Sequence, residues 1–377
     1  MPRLNRVATL LLQLALALAL AGNVGVGDLR AQALAEAPGS VRHSAAIEAG
    51  RGIIEQVMEE NSIPGMSVAV GVDGAIVWSE GFGYADLEHR TPATTLTRFR
   101  IGSVSKPVTS AAIGKLYEEG DLDLDAPVQQ YVPGFPEKRW PVTTRQLGGH
   151  LAGIRHYRGD EMLNSHRYET VEEGLTIFAA DSLLHEPGSA YEYSSYGWNL
   201  ISAVVEGASG DEFLPYMRRE VFLPLGLRSI VAEHTDSIIA HRASFYELSD
   251  DGEVLNAPYV DNSYKWAGGG FISNTEDLVR FAYGMLDGTL LEPATVHLLF
   301  TSQRTTAGEL TNYGIGWRSG VDEAGRRWVG HTGGSVGGRA VLVIYPDQEI
   351  VVAALANLGS APMSPELAAE VAEGFVK

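Results

Sequence analysis

The chain of 377 residues contains no cysteine. A disulfide framework, a thiol nucleophile, a lipid-modified cysteine and a zinc–thiolate site are excluded together. Lysine is almost as scarce, occurring only at positions 106, 115, 138, 265 and 377, and no histidine follows His331. Positive charge is in the minority throughout, with 28 Lys and Arg against 47 Asp and Glu and a formal net charge of −19. A surface of that sign repels phosphate backbones and anionic headgroups, so neither nucleic acid nor a strong membrane partner is expected. No H-E-x-x-H or comparable spacing groups the histidines and carboxylates. His150, His156, His166, Glu233, His234, Asp236 and His241 are therefore expected in solvated loops, and no metal or cofactor is implied.

What remains is ordinary globular composition, 45% apolar and 20% charged, enough for one large domain or two fused lobes. The N-terminus stands apart. Arg3 and Arg6 precede an apolar run from Val7 to Gly22 broken only by Thr9 and Gln13, and Ala31-Gln32-Ala33 follows the small-residue rule for cleavage. Residues 1–33 are expected to be a secretory signal peptide and 34–44 a polar linker, so the protein is expected to be exported, periplasmic or secreted. An uncleaved N-terminal anchor is the alternative.

Along the rest, hydrophobic periodicity predicts a helix over Ala45–Glu60 and strands over Met66–Val72 and Ala75–Phe82. Asp73-Gly74 between those strands is a strong hairpin signal. The C-terminal end mirrors this, with strands over Arg339–Tyr345 and Glu349–Leu355 and a helix over Pro365–Phe375. Between them Pro107–Glu119, Val171–Ala180, Trp198–Gly207, Asp277–Leu286 and Pro293–Phe300 read as helices. The expectation is an α/β protein with one sheet built from both chain ends and a mostly helical lobe inserted between them. The hydrolase-sized domain would span 45–377, its sheet lobe about 45–100 and 260–377 and its helical lobe about 101–259. A cleft between two lobes is a natural small-molecule site.

Three segments can do chemistry. Ser103 and Lys106, in Ser103-Val104-Ser105-Lys106, are three residues apart and share a face if a helix starts here, as Pro107 permits. A serine hydroxyl needs a base within reach, and a lysine that is buried near a helix N-terminus loses basicity and becomes one. The free N–H groups of that N-terminus, Ser103's included, suit an oxyanion. Tyr193, ahead of a helical segment, is a phenol that a nearby lysine could push toward phenolate for proton relay. His331-Thr332-Gly333-Gly334 precedes the last hairpin and offers a wall on which a substrate can lie close to the main chain, with one N–H completing the oxyanion hole. Gly333-Gly334-Ser335-Val336-Gly337 matches a nucleophile elbow. That fold needs a histidine downstream of the serine, and none exists.

Taken in this order, the three segments resemble the serine β-lactamase and penicillin-binding-protein superfamily, in its class C and esterase-like branch. Ile63-Pro64-Gly65-Met66, Phe99-Arg100-Ile101-Gly102 and His150-Leu151-Ala152-Gly153-Ile154 fit the same resemblance, which covers roughly 45–375. A more detailed likeness, to the mitochondrial serine β-lactamase-like protein family, rests on Trp78-Ser79-Glu80-Gly81, Gly153-Ile154-Arg155-His156-Tyr157 and the stretch from Tyr259 to Phe271. The resemblance implies an αβ/α sandwich with an antiparallel sheet. It makes Ser103 the acylated nucleophile, Lys106 and Tyr193 the proton-transfer pair, and the N–H groups of Ser103 and Gly334 the oxyanion hole. Ser195, His331, Thr332 and Gly333 become the substrate-binding residues. Two positions depart from the pattern. Ser195 stands where efficient β-lactam hydrolases usually have Asn, and His331 stands where many have Lys. An unperturbed imidazole at 331 would be a carboxylate anchor whose charge fades near neutral pH. Both departures weaken a β-lactamase reading and leave acyl transfer intact. The implied activity is hydrolysis of a small peptide or related amide through an acyl-enzyme. A β-lactamase, a D-alanyl carboxypeptidase, a small-ester hydrolase and an inactive scaffold are the alternatives.

Overall fold

The computed structural model describes residues 42–376. The expected signal peptide and most of the linker lie outside them. Among the described residues no helix is long and apolar enough to cross a membrane.

The first helix, α1 (Ser44–Glu60), leads into β1 (Gly65–Val72) and β2 (Ala75–Asp86). Asp73 and Gly74 at their junction have φ of 52° and 82°. Positive φ at both positions gives a turn whose twist matches the paired strands, which is why Asp-Gly signals a hairpin. A short β3 (Thr91–Pro92) closes that edge of the sheet. The other half comes from the far end of the chain: β4 (Arg318–Val321), β5 (Arg327–Ser335), β6 (Gly338–Tyr345) and β7 (Ile350–Ala356). All seven pair antiparallel in the order β3-β2-β1-β7-β6-β5-β4. The chain ends meet where β1 pairs with β7, from Met66 opposite Ala356 to Val72 opposite Ile350.

Side chains alternate across this sheet with the period of two that a strand imposes. Val68, Val70, Val341, Val343, Val352 and Ala354 join one apolar cluster with Ile47, Ile54 and Leu367. Ala69, Leu342, Ile344, Val351, Ala353 and Leu355 join the other, with Leu278, Val279 and Ala282. The sheet is therefore covered on one face by α1 and the last helix (Pro365–Glu373) and on the other by a helix over Thr275–Leu286. That is the αβ/α sandwich. Burial on both faces explains why every residue of β1 and β7 is buried, unlike an alternating surface strand.

Between β3 and β4 the chain is mainly helical. Two of these helices carry the site: α2 (Ser105–Glu119), stopped by Gly120 with φ 81°, and α3 (Ser195–Ser209), stopped by Gly210 with φ 73°. Helix α3 begins earlier than the apolar periodicity suggests. The Ser194 hydroxyl accepts the Gly197 N–H and caps it. The helix expected over Val171–Ala180 ends at Leu175. There the Thr176 hydroxyl donates to the Glu173 carbonyl, and the backbone tightens to i→i+3 bonds, Thr176 to Glu173 and Phe178 to Leu175. Local side-chain bonding of this kind competes with helix continuation.

Candidate active site

The site forms where the turn before α2 presses on β5. Gly102 sits at φ 48°, and a Cβ there would stand 2.6 Å from the Gly334 carbonyl oxygen. A Cβ on Gly333 would overlap the Ile101 carbonyl. Only glycine at both positions lets the two backbones approach this closely. Gly102–Val104 forms one turn of 3-10 helix that passes directly into α2. Ser103 thus lies one residue pair ahead of the α-helix proper, with its backbone beside Gly334.

Lys106 is fully buried. Its Nζ lies 2.9 Å from Ser103 Oγ, 3.2 Å from Ser195 Oγ and 2.7 Å from the Gly268 carbonyl oxygen. Burial, then the charges of Lys265 and Arg318, hold this amine well below the ordinary lysine range. A neutral amine at hydrogen-bond distance from a hydroxyl can remove its proton.

Tyr193 immediately precedes the cap of α3. Its hydroxyl meets that of Ser103, and Lys106 Nζ lies 5.0 Å from its ring centre. The expectation that a cationic lysine drives it toward phenolate is overturned. Burial dominates and raises the phenol to about 12, while burial holds the lysine beside it well below its ordinary range. Tyr193 is a phenol at neutral pH and so a proton donor.

His331 also departs from expectation. It is buried at 2% exposure, with Nε2 2.8 Å from the Tyr313 hydroxyl and Nδ1 2.5 Å from the Thr332 carbonyl oxygen. Nδ1 facing a carbonyl carries the proton, and Nε2 accepts from Tyr313. Burial, then Lys106 and Arg318, push the imidazole well below its usual value. It stays neutral across the physiological range instead of titrating there, so it is no fading carboxylate anchor. Thr332 and Gly334 line the cavity in front of Ser103, whereas Gly333 alternates away and packs on Ile101. Ser335 of the rejected elbow motif sits at the end of β5 with its hydroxyl buried.

The cavity has a volume of about 280 Å³, and Ser103, Tyr193, Ser195, His331, Thr332 and Gly334 are joined there by residues the motifs did not single out. Lys265, Arg318, His156, Tyr157 and Met162 are the main ones. Two cations and no carboxylate line the cavity, so it favours anionic groups. Lys265 is buried, and its amine is lowered to about 7 by burial and then by Arg100, with Glu233 acting the other way. Arg318 opens β4, opposite Gly330 of β5, and its guanidinium lies 5.5 Å from the Tyr193 ring centre. The signals for Lys265 were its scarcity, as one of five lysines, and its place in the Tyr259–Phe271 stretch that carries the family likeness. Arg318 had none.

Two residues expected in solvated loops are buried instead. The His150 ring packs 4.2 Å from that of Tyr193, and its Nδ1 accepts the Ser194 N–H at 3.1 Å. Glu233 accepts from Arg100 Nε at 2.7 Å and from Asn262 at 2.6 Å. Arg100 Nη1 in turn donates to the Val336 carbonyl at 2.7 Å, tying the serine-bearing segment to the end of β5. Burying a charged or imidazole group requires such partners, and only the fold supplies them.

A seven-stranded antiparallel sheet between helical layers, with a serine and a buried lysine three residues apart at its edge, defines a class of hydrolase fold. The Beta-lactamase family profile matches residues 51–374, and the chain belongs to this family of β-lactamase-fold serine hydrolases. It is similar to the serine beta-lactamase-like protein LACTB, mitochondrial, of Bos taurus, at 35% identity covering 83% of this chain and 74% of that protein. Penicillin-binding protein 4* of Bacillus subtilis is 28% identical, over 81% of this chain and 70% of its own. Among solved structures, the octameric penicillin-binding protein homologue from Pyrococcus abyssi superposes with a TM-score of 0.76 at 27% identity, covering 87% and 77% of the two chains.

Proposed function

We propose that the protein cleaves a small peptide or related amide through an acyl-enzyme on Ser103, with Lys106 as general base. The observation that carries this is the 2.9 Å approach of Lys106 Nζ to Ser103 Oγ, with the amine buried and held well below the ordinary lysine range. Lys106 takes the hydroxyl proton as Oγ adds to the substrate carbonyl. The N–H groups of Ser103 and Gly334 receive the oxyanion. Tyr193, a phenol touching Ser103, passes a proton to the departing amine nitrogen as the C–N bond breaks. The Lys106 ammonium returns its proton to the Tyr193 oxygen, and the neutral lysine then takes a proton from the water that adds to the ester and delivers it to Ser103 Oγ as the acyl C–O bond breaks. Arg318, in the same cavity, suits a substrate carboxylate on the leaving side.

Incubation with a fluorophosphonate followed by intact-mass measurement tests the assignment. One adduct, lost in Ser103→Ala and kept in Ser335→Ala, is expected, and an adduct that survives Ser103→Ala overturns it. The same reading includes export by means of residues 1–33. N-terminal sequencing that begins at Leu34, or just after Ala37, supports export, and a mature chain beginning at Met1 contradicts it.

A further inference from the structure

A second hollow, about 540 Å³ in volume, shares no lining residue with the catalytic cavity. Leu214, Phe222, Leu223, Leu227, Ile230 and Phe271 make its wall apolar. Phe222, Leu227, Ile230 and Phe271 are buried, whereas Leu223 stands 57% exposed. A large apolar side chain in solvent beside an apolar hollow marks a place where something apolar lies. The local backbone is unusual as well. Met217–Phe222 form a π-helical turn, closed by the Leu223 N–H on the Arg218 carbonyl at 3.0 Å, and Pro224 has no N–H with which to continue it. Such wide turns are rare and concentrate at functional sites. Arg218 and Arg228 belong to the same lining, and no carboxylate does. Arg219, next along the turn, is held by Asp211 and Glu220. Neither Arg218 nor Arg228 has an ion pair among the described residues, in a chain whose net charge is −19. His234 is the one other titratable group of the lining, its ring against that of Trp266 at 5.0 Å.

From these features we infer that the hollow is a binding site for a long-chain fatty acid, its tail against Phe222, Leu227 and Phe271 and its carboxylate met by Arg218 and Arg228. The volume is that of a small-molecule site. Its occupant needs one apolar body and one negative group. A neutral hydrocarbon leaves the arginines without a counter-charge, and a small anion leaves the apolar wall wet. The site stands independently of the reading of Ser103, although it adjoins the segment that carries that residue. The Phe271 carbonyl accepts the Ile101 N–H at 3.2 Å, and the Phe271 N–H donates to Ser105 Oγ at 3.4 Å. A bound acid therefore rests on the strand from which the serine-bearing turn is hung.

Isothermal titration of the whole protein with sodium dodecanoate, kept below its micelle concentration, tests this. Binding to one site is expected. Butanoate should bind far more weakly for want of a tail, and dodecyltrimethylammonium roughly tenfold more weakly because its charge is wrong. The catalytic cavity also favours anions, so Arg318→Gln is titrated alongside and should bind dodecanoate as the wild type does. The double change Arg218→Gln with Arg228→Gln should weaken dodecanoate roughly tenfold. Leu223→Glu, which sets a negative charge on the wall, should weaken it as well. All three positions are exposed, so these variants keep their core packing. Absence of binding or equal affinity for the cationic amphiphile overturns the inference. So does an affinity that falls in Arg318→Gln and is unchanged in the double arginine variant, which would put the acid in the catalytic cavity.

Discussion

Lys265 and Lys106 serve one cavity, and the charge of Lys265 is the largest electrostatic influence lowering the amine of Lys106, second only to burial. Neither is ion-paired to a carboxylate among the described residues. Like charges in a dry site are costly, and the cost falls on whichever proton is most easily lost.

The first prediction follows from that pair. Lys106 works as a neutral amine with a depressed pKa, so kcat/KM for an uncharged ester rises as pH climbs through that value. Lys265→Met removes a depressing charge and raises the Lys106 pKa. The acid limb of the profile should move to higher pH, while Lys265→Arg, which stays charged, should leave it low. A limb that stays in place in Lys265→Met would show that burial alone sets the base.

Anionic substrates should report on a different titration. Lys265 is lowered to about 7, and its charge is lost as pH rises through that value. His331 is already neutral, its imidazole pushed well below the usual value by burial. Affinity for a carboxylate-bearing substrate should therefore weaken between pH 6 and 8 because of Lys265. The decline should vanish in Lys265→Arg and persist in His331→Gln. At pH 6, Arg318→Gln should raise KM for such a substrate roughly tenfold or more, as loss of a charge-assisted hydrogen bond does. A decline that follows His331 would restore the histidine as the anchor.

Gly333→Ala should be more harmful than its size suggests. The added methyl would overlap the Ile101 carbonyl, and the turn that carries Ser103 must retreat from β5. A stability loss of about 1–3 kcal/mol is expected by urea unfolding, with a fall of roughly 100-fold in kcat as the oxyanion donors separate. Gly325→Ala, with open space around it but φ of 79°, should destabilise mildly and leave kcat intact.

Glu233→Gln should cost about 3 kcal/mol, because it leaves the buried Arg100 guanidinium without its charge partner. Urea unfolding of the purified variant measures this directly, and a midpoint equal to wild type would mean that Asn262 and the Val336 carbonyl suffice to hold Arg100.

The parts of the molecule legible in the amino-acid order are those governed by neighbours. Asp73-Gly74 is a turn because of its own backbone freedom. Ser103 and Lys106 meet because helical geometry brings residues three apart together. The strand-like runs at both chain ends pointed to one shared sheet, and the sandwich around it was implied by the family resemblance. The electrostatic character of the site was not legible, because it depends on burial. His331 reads as a titrating anchor until Tyr313 and the Thr332 carbonyl surround it, and Tyr193 reads as a potential phenolate until burial raises its phenol. Arg318 lies in a short strand with nothing in its flanks to mark it, and it reaches the cavity only through pairing with β5. His156 reads as a loop residue until the fold brings the Ser195 N–H, 39 positions away, to its Nδ1.

The pairing of β1 with β7 has a consequence for how the protein is made. A ribosome releases Ser103 and Lys106 long before it releases β5, and β1 must wait for the last part of the chain to find its neighbour. Contacts this distant in sequence form late. A nascent chain short of Gly334 carries a serine and a lysine but no partner amide for the oxyanion, and its first hairpin has an open edge. On the proposed mechanism such a chain lacks a complete site, and its β1 edge stays unpaired until the C-terminal strand arrives.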